Sequence, residues 1–258
     1  MPKMQNFIES CLFGAAKEIS TAKAKGLRIK AKARNDMATS ADFASESFIV
    51  NRIRKSYPDS VVLSEESYLK TDLKADSLFV VDPIDGTHNF IQEIPLWGIS
   101  IAHFSQGKPT AGGIYLVPQN ELFYAEKGKQ STLNKKKISV SRKARLEDFF
   151  LLCDTRINNI NDFGYLNGIL ALEKISQHTR FLGVAVHDMG YVACGKADAV
   201  IHFKLKPYDF AAAAFIVEQA GGTVTSLEGK EWGLESTKFL CSNGKQHKRI
   251  IEVLKKKV

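Results

Sequence analysis

Two aspartates stand three positions apart at the end of an apolar run, in the segment Asp82-Pro83-Ile84-Asp85-Gly86-Thr87. In a straight strand, residues i and i+3 point to opposite faces, so these carboxylates converge only if the chain turns between them. Pro83 favours such a turn because it cannot extend a hydrogen-bonded ladder and fixes its own φ. Two carboxylates and an inward-facing Ile84 carbonyl would be hard oxygen ligands that suit Mg²⁺ rather than zinc. Taken alone, the pair is equally typical of an Asx-turn followed by a helix cap.

The two residues after this pair predict an anion pocket beside the metal ligands. Gly86 lets a ligand approach the backbone closely, and Thr87 opens a predicted short helix or turn. Backbone N–H groups at a helix start favour a phosphate. Metal ligands and phosphate donors would then lie within a few residues of each other.

Two further acidic positions lie far from this segment in the sequence. Glu65 and Glu66 follow a predicted strand over Val61–Leu63, and Asp209 begins a predicted helix. Each is by itself typical of a solvated acidic pair or of a carboxylate at a helix N-terminus. Together with the aspartate pair, they form a set of carboxylates that can hold divalent cations against a phosphate ester.

The length and composition indicate a globular protein with a substantial core. The 258 residues, 44% of them hydrophobic, can form one large domain or two closely packed halves. No apolar run approaches the ~20 residues needed to cross a bilayer, and the N-terminus lacks a signal-peptide layout. We therefore expect no membrane association and a cytoplasmic location. The four cysteines are widely spaced and form no C-x-x-C pair, which argues against a zinc site or a disulfide framework.

The positive charge is concentrated in short lysine runs. The formal net charge is +8, which favours anionic small molecules or nucleic acid as partners. The runs Lys135–Lys137 and Lys255–Lys257 have no aromatic residues between them. A solvated face is therefore favoured over a nucleic-acid groove, while RNA or a nucleic-acid-associated partner remains an alternative.

Hydrophobic periodicity divides the chain into two halves of different character. Residues 1–142 combine helices with an antiparallel meander, whereas residues 143–258 alternate strands and helices. The predicted helices cover about residues 4–25, 39–57, 162–174, 186–193, 209–220 and 247–256. The predicted strands cover residues 61–63, 78–81, 99–104, 112–117, 121–125, 138–140, 150–152, 181–182, 199–201, 223–225 and 239–241. The fold class is thus α+β, with an N-terminal antiparallel sheet half that carries most metal ligands and a C-terminal α/β half that carries Asp209.

The acidic segments contain sequence motifs that follow one another along the chain in a characteristic order. Val80–Phe90 reads V-V-D-P-I-D-G-T-H-N-F, Ser64–Ser67 is similar to a G-E-E-S element, and Ala38–Asp42 is similar to V-T-x-x-D. Tyr208–Ala212 and Glu218–Gly222 are similar to W-D-x-A-A followed by E-A-G-G. On these motifs the chain resembles the inositol monophosphatase family of metal-dependent, lithium-sensitive sugar-phosphate phosphatases. The resemblance covers nearly the whole chain and implies a layered αβαβα sandwich, a homodimer, and two or three Mg²⁺ ions as cofactor.

The resemblance also implies a role for each matching residue. The metal ligands would be Glu65, Asp82, the Ile84 carbonyl, Asp85 and Asp209, with Thr87 completing the surroundings of one ion and a third, weaker ion near Glu65. The catalytic residues would be Glu65, Thr87 and Asp42, of which Thr87 and Asp42 would orient and deprotonate the attacking water. The substrate-binding positions would be Asp85, Gly86, Thr87, Ala185, His202 and Asp209.

Two departures from the family pattern bear on the substrate. Inositol-specific members carry a glutamate that contacts substrate hydroxyls, and His202 stands in its place; the usual Gly-Ser/Thr-Ala is here Gly183-Val184-Ala185. The first weakens myo-inositol monophosphate as the native substrate, although a histidine at a strand end is also typical of simple packing, and the second removes a hydroxyl. His88, His187 and Asp188 are further candidate contacts.

The sequence thus predicts Mg²⁺-dependent hydrolysis of a small phosphomonoester by metal-activated water. Inositol monophosphate or a related sugar or polyol phosphate is the leading substrate. Histidinol phosphate, fructose-1,6-bisphosphate and a nucleotide 3′-phosphate are alternatives. The competing functions are a basic nucleic-acid-binding or partner-binding protein on the same fold and a degenerate enzyme.

Overall fold

The computed structural model describes residues 3–33, 36–67, 72–154 and 163–255. Within these ranges the chain forms seven α-helices, of which six have nine or more residues and one, at the acidic segment, has five. They are α1 (Met4–Ala24), α2 (Ser40–Ser56), α3 (Thr87–Ile91), α4 (Phe163–Glu173), α5 (Ala185–Ala193), α6 (Pro207–Gln219) and α7 (His247–Lys255).

The same ranges contain fourteen β-strands, most of them three to nine residues long. They are β1 (Ile29–Ala33), β2 (Asp36–Thr39), β3 (Val61–Ser64), β4 (Ser77–Asp85), β5 (Gly98–Ser105), β6 (Lys108–Leu116), β7 (Glu121–Glu126), β8 (Thr132–Leu133), β9 (Lys136–Lys137), β10 (Phe150–Cys153), β11 (His178–Arg180), β12 (Ala199–Phe203), β13 (Thr223–Ser226) and β14 (Lys238–Ser242). β1 and β2 pair with each other as an antiparallel hairpin.

The larger sheet has seven strands in the order β3-β4-β5-β6-β7-β8-β9. β3 and β4 run parallel, and each later neighbouring pair runs antiparallel. Gln106 and Asn120 take positive φ angles in the turns that precede β6 and β7, at the two places where turn residues predict a meander. The antiparallel meander of the N-terminal half is confirmed.

The smaller sheet has five strands in the order β11-β10-β12-β14-β13. β10 runs parallel to both β11 and β12, whereas β14 runs antiparallel to β12 and β13. This half is therefore a mixed sheet, with the helices α4, α5, α6 and α7 between its strands along the chain.

The two faces of each sheet pack against different helices. On β4, Phe79 and Val81 join the core formed with α1 and α2, whereas Leu78 and Val80 join the core formed with α5 and α6, as the period of two along a strand requires. On β12, Val200 faces that same middle core, and the alternate positions pack with α4 and α7. The layers are thus α1/α2, the larger sheet, α5/α6, the smaller sheet and α4/α7, and the predicted αβαβα sandwich is confirmed.

The middle layer is thin because α6 presents small side chains. Its residues Ala211–Ala214 are all buried. Gly112 on β6 lies so close that an added Cβ would stand 3.2 Å from the Ala212 carbonyl oxygen. Both sheets therefore pack against shared helices. The division of the chain into two halves between residues 142 and 143 stays a prediction.

Two predicted strands are absent from their expected places. In residues 138–140, the Ile138 N–H donates a hydrogen bond to the Ser131 carbonyl and the Val140 N–H donates one to the Ala220 carbonyl. These hydrogen bonds go to two different segments and form no ladder. The short strand in this part of the chain is β9 instead. Residues 181–182 follow β11, whose pairing with β10 ends at Arg180. Phe181 is 56% exposed, so the apolar residue that suggested a strand is not in the core.

Some predictions from the sequence fall on residues that the structure does not describe, and others concern membrane-spanning helices and disulfides. Asp162 and residues 256–257 lie outside the described residues. Among the described helices, none has the length and apolar character that a bilayer crossing needs. All four cysteines are described, and each carries a free thiol.

Candidate active site

The aspartate pair lies on one continuous strand that carries a bulge. Asp82 pairs with Ser100 and Asp85 pairs with Gly98, so three steps along β4 oppose two steps along β5. One extra residue shifts the strand's period of two, which lets positions i and i+3 face the same side. The strand was expected to end at Asp82 in a turn; that boundary is wrong, because β4 continues through the bulge to Asp85.

Six of the predicted site residues line one cavity of about 80 Å³, namely Glu65, Asp82, Ile84, Asp85, Gly86 and Thr87. Gly86 adopts a φ of 89° there, a left-handed conformation that costs other residues about 1–2 kcal/mol. An added Cβ would lie 2.9 Å from Val184 Cγ2 and 3.0 Å from the Leu96 carbonyl oxygen. The position therefore requires glycine for both its backbone and its surroundings.

Asp82 and Asp85 are each held by a backbone N–H group. The Ile84 N–H donates to Asp82 Oδ1 at 3.0 Å, which is the Asx-turn considered from the sequence. The Val186 N–H, in the first turn of α5, donates to Asp85 Oδ2 at 2.8 Å. Ala185 is buried beside it. The structural and functional interpretations of this pair are therefore compatible, because a carboxylate that accepts a backbone N–H can also bind a cation through its remaining lone pairs.

Asp42 lies behind the cavity wall, where it joins two parts of the chain. The Thr39 N–H and hydroxyl donate to Asp42 Oδ2 at 2.7 and 2.6 Å, which caps α2 as predicted. The Thr87 hydroxyl lies 3.1 Å from Asp42 Oδ1 and 2.9 Å from the Ile84 carbonyl oxygen. Burial raises the pKa of Asp42, although the hydrogen bonds from Thr39 oppose this.

Asp209 approaches the same carboxylates from the C-terminal half. It occupies the first turn of α6, where its Oδ2 accepts the Lys206 N–H at 2.6 Å. Its charge raises the pKa of both Glu65 and Asp82. The structure therefore brings Asp209 into electrostatic contact with the acidic cluster, although it does not line the cavity itself.

The cluster concentrates like charges in a buried place. Burial raises the pKa of Asp82 well above its ordinary value, and the charges of Glu65, Asp85 and Asp209 raise it further. Burial also raises the pKa of Glu65 to about 7, against the attraction of Lys32. Such raised values mean that the ionised cluster lacks enough positive charge to balance it.

Lys32 is the cation that reaches this cluster, and sequence reasoning did not single it out. Its Nζ on β1 lies 2.9 Å from Glu65 Oε1 and 2.7 Å from Glu66 Oε1. Burial lowers the pKa of Lys32, but the hydrogen bonds that its ammonium group donates to Glu66 and Glu65, together with their negative charges, raise it on balance. A lysine in a polar strand carries no signal of such a role, because only the fold brings β1 next to Glu65 and Glu66.

The donor set fits a hard divalent cation. As the side chains stand, no three His, Cys, Asp or Glu residues in the described part of the chain are arranged to hold a metal ion. The cavity is nevertheless lined by Glu65, Asp82, Ile84 and Asp85, whose carboxylates and backbone carbonyl suit Mg²⁺. The raised pKa values of Glu65 and Asp82 indicate that a further positive charge would be favourable.

His202 and Asp188 form a buried pair beside the cavity. Both side chains are fully buried, with His202 Nε2 3.2 Å from Asp188 Oδ2, and His202 Nδ1 3.9 Å from Asp154 Oδ2. Burial opposes ionisation of His202, but hydrogen bonding and attraction to Asp188 raise its pKa. His202 does not line the cavity, so its role as a substrate contact stays a prediction.

The other candidate histidines differ in their surroundings. His88 lines the cavity and is exposed. His187 is fully buried and lies 3.2 Å from the Gln119 side-chain oxygen. Burial lowers the pKa of His187 to about 4, so it is neutral at physiological pH. Of the two, His88 is the one placed to meet a ligand.

Sequence reasoning also missed two residues on α2. The Glu46 carboxylate accepts hydrogen bonds from the hydroxyls of Ser64 and Ser67 and, at 2.8 Å, from the Glu66 N–H. The Ser45 hydroxyl donates to the Pro83 carbonyl oxygen at 3.0 Å. The spacing of 42, 45 and 46 on one helix face was the available signal.

Comparison with known proteins shows the family of the chain. The chain matches the family model described as "Inositol monophosphatase family" over residues 2–258. It is 34% identical over 219 residues to the fructose-1,6-bisphosphatase/inositol-1-monophosphatase of Thermotoga maritima, a match that covers 85% of this chain and 82% of that protein.

Solved structures give the same result. The extragenic suppressor protein suhB from Bartonella henselae superposes with a TM-score of 0.91 at 30% identity, over 98% of this chain and 99% of that one. An IMPase/NADP phosphatase complexed with Mg²⁺ and phosphate superposes with a TM-score of 0.84 at 25% identity, over 93% and 91% of the two chains. Because the family model matches residues 2–258 and these solved structures share its fold, the chain belongs to the inositol monophosphatase family.

Proposed function

We propose that this protein is a phosphatase that hydrolyses a small phosphomonoester with the help of Mg²⁺. The observation that carries the proposal is the single cavity lined by Glu65, Asp82, Asp85 and Thr87. The pKa values of Glu65 and Asp82 are raised by burial and by neighbouring carboxylates. Clustered groups of this kind are typical of a functional site.

Five groups would hold the ions. They are the carboxylates of Glu65, Asp82, Asp85 and Asp209 and the carbonyl of Ile84, with two ions expected and a third, weaker one near Glu65. When bound, Mg²⁺ supplies Lewis acidity, which lowers the pKa of water and offsets negative charge on the ester.

Thr87 and Asp42 are placed to handle a proton. The Thr87 hydroxyl is within hydrogen-bonding distance of Asp42 Oδ1 and of the Ile84 carbonyl, and its oxygen would accept a hydrogen bond from water in the cavity. When the hydroxyl donates to Asp42, the water proton would pass to Thr87 Oγ1 as the hydroxyl proton passes to Asp42, so that Thr87 stays neutral. The raised pKa of Asp42 makes it a better proton acceptor than an ordinary carboxylate.

Substrate selection would depend on the groups that surround the phosphate. We infer that Gly86 and Thr87 present backbone N–H groups to the phosphate, and that Ala185 and His202 contribute to recognition of the alcohol. Inositol monophosphate or another polyol phosphate is the leading substrate. The Thermotoga maritima relative is named for both fructose-1,6-bisphosphatase and inositol-1-monophosphatase activity, which supports including fructose-1,6-bisphosphate as an alternative.

The test is phosphate release over a substrate panel. The panel contains inositol monophosphate, fructose-1,6-bisphosphate, histidinol phosphate and a nucleotide 3′-phosphate, each with Mg²⁺ or with EDTA. We expect release from at least one member in Mg²⁺ and from none in EDTA. Asp82→Asn should lose this release, whereas the exposed-site control Asp148→Asn should keep it. No release from any member by wild-type protein in Mg²⁺ would reject the proposal.

The remaining expectations concern assembly and other partners. A homodimer, a cytoplasmic location, sensitivity to lithium and binding to nucleic acid all stay predictions. The run Lys135–Lys137 forms an exposed turn and β9 at the edge of the larger sheet, which accords with a solvated face. If it bound nucleic acid, affinity would fall steeply with salt concentration.

A further inference from the structure

Glu46 is a buried carboxylate that contacts the acidic loop without lining the cavity. It is 5% exposed and accepts hydrogen bonds from Ser64, Glu66 and Ser67. These three donors surround Glu65 in the sequence. The loop over residues 64–67, which we call the Glu65 loop, is therefore tied to α2 on both sides of the residue that lines the cavity.

The same face of α2 reaches the other parts of the cavity wall. Asp42 accepts a hydrogen bond from Thr87, and Ser45 donates to the carbonyl of Pro83 within the β4 bulge. Residues at i, i+3 and i+4 lie side by side on a helix. One helix thus contacts two segments that are distant from it in sequence, the acidic segment at Pro83 and Thr87 and the Glu65 loop, and Glu46 is its contact with the latter.

We propose that Glu46 is a positioning residue that holds the Glu65 carboxylate at the metal-binding cavity. The inference rests on the proposed function, since it assigns Glu46 a part in forming that same site. The only contact of Glu65 itself with a positive charge among the described residues is the 2.9 Å ion pair with Lys32, whereas the residues on both sides of it are hydrogen-bonded to Glu46. These three hydrogen bonds to one buried carboxylate hold the loop against α2 and involve no metal ion.

This role predicts a specific pattern of effects. Glu46→Ala removes the acceptor for two hydroxyls and one N–H, so Mg²⁺ must order the loop as it binds. Loss of such a supporting group costs roughly 10–100-fold in metal affinity. Glu46→Gln keeps an oxygen for the Glu66 N–H and gains an amide N–H that can donate to a serine oxygen, so it should recover most of the affinity.

The main experiment is calorimetric titration of Mg²⁺ into wild-type protein, Glu46→Ala and Glu46→Gln. Steady-state kinetics over a range of Mg²⁺ concentrations accompany it. Because saturating Mg²⁺ restores the loop, we expect Glu46→Ala to raise the Mg²⁺ concentration needed for half-maximal rate far more than it lowers kcat. Hydrogen exchange at the Glu66 amide should become faster in Glu46→Ala without metal.

Asp198 provides a matched control. It is a buried carboxylate that accepts hydrogen bonds from the Ser141 hydroxyl and, at 2.6 Å, from the Phe150 N–H. Asp198→Ala should therefore disturb folding through the same kind of loss as Glu46→Ala. Since its partners lie outside the cavity, it should leave Mg²⁺ affinity and Glu66 exchange at their wild-type values.

The outcomes separate this inference from the proposed function. Weaker Mg²⁺ binding in Glu46→Ala, recovery in Glu46→Gln and no change in Asp198→Ala support it. Wild-type Mg²⁺ affinity in Glu46→Ala overturns it while the phosphatase proposal stands. An equal loss in Glu46→Ala and Asp198→Ala also overturns it, because general destabilisation would then be the cause. Wild-type protein that neither binds Mg²⁺ nor releases phosphate refutes both.

Discussion

Glu65→Gln should stabilise the metal-free protein although it removes a proposed metal ligand. Burial raises the pKa of the Glu65 carboxyl from 4.5 to about 7, and this value already includes the attraction of Lys32. At about 1.4 kcal/mol per pKa unit, the ionised carboxylate costs up to about 3 kcal/mol of folding free energy. Glutamine has the same shape without the charge, so the variant avoids that cost.

The pH dependence has a definite sign. Below pH 4.5 the carboxyl is protonated in both the folded and the unfolded chain, so Glu65 imposes no penalty. Between 4.5 and about 7, the folded protein retains a proton that the unfolded chain has lost, and stability therefore falls as pH rises. Above this window the full penalty applies, and the difference between wild type and Glu65→Gln is greatest.

The assay is thermal unfolding followed by circular dichroism, at pH 8 and near pH 4.5, in EDTA or in excess Mg²⁺. For a chain of this size, 1 kcal/mol shifts Tm by roughly 2–4 °C. In EDTA at pH 8, Glu65→Gln should therefore melt up to roughly 10 °C above wild type, and the gap should close near pH 4.5. Excess Mg²⁺ should raise the Tm of wild type more than that of the variant, because a ligand stabilises the state that binds it.

Glu147→Gln is the control, because its side chain is 64% exposed and its Tm should follow wild type in every condition. The reasoning is refuted if Glu65→Gln is no more stable than wild type in EDTA at pH 8. It is also refuted if the gap persists unchanged near pH 4.5, because the effect would then not come from the charge.

Three further changes test other parts of the site. Asp85→Asn keeps an oxygen for the Val186 N–H but removes a charge that is proposed to hold a metal ion. The kcat should therefore fall at least ~10²-fold, while the circular dichroism spectrum is unchanged. Turnover at the wild-type rate would exclude the metal role. Lys32→Met removes the ammonium group that would compete with Mg²⁺ for the carboxylates of Glu65 and Glu66. Calorimetry should therefore show roughly 10-fold tighter Mg²⁺ binding, about 1.4 kcal/mol. Weaker Mg²⁺ binding in this variant would contradict such competition. Gly86→Ala places a Cβ 3.0 Å from the Leu96 carbonyl at a φ of 89°, so urea unfolding should show a loss of about 1–3 kcal/mol, and an unchanged midpoint would count against strain.

The parts of the site that the sequence predicted are those carried by a local pattern. The strand before Asp82, the helix cap at Thr39 and the helix start at Asp209 each follow from a few neighbouring residues, and the structure has all three. The αβαβα layers came from the family resemblance rather than from periodicity. Periodicity shows which face of a strand is apolar, but it does not show which helix covers that face.

The errors have physical causes of the same kind. A proline after Asp82 predicts the end of a strand, yet the bulge opposite Ser100 accommodates Pro83 where no ladder bond is required. The apolar pair at Phe181 predicts a strand, but β11 is only three residues long and ends before it. Bulges and edge-strand lengths depend on the neighbouring strand, which a local pattern does not contain.

Lys32, Ser45 and Glu46 went unnoticed for a related reason. Each acts on a segment more than fifteen residues away, as the sequence separations of 33, 38 and 18 residues to Glu65, Pro83 and Ser64 show. None belongs to a motif that has a known chemistry. Residues that hold a site in place through tertiary contacts are visible only once the fold brings the segments together.

These contacts also explain how the chain can tolerate a cluster of buried carboxylates. The hydrogen bonds that tie α2 to Thr87, Pro83 and the Glu65 loop use neither a cation nor a substrate. They therefore oppose carboxylate repulsion in the metal-free protein, with help from the ammonium group of Lys32. A hydrogen bond to a charged group contributes about 1.5–3 kcal/mol, which is comparable to the penalty at Glu65. We therefore expect the cavity to keep its shape without Mg²⁺, and the free energy of the proposed ion binding to go chiefly into neutralising charge rather than into folding the site.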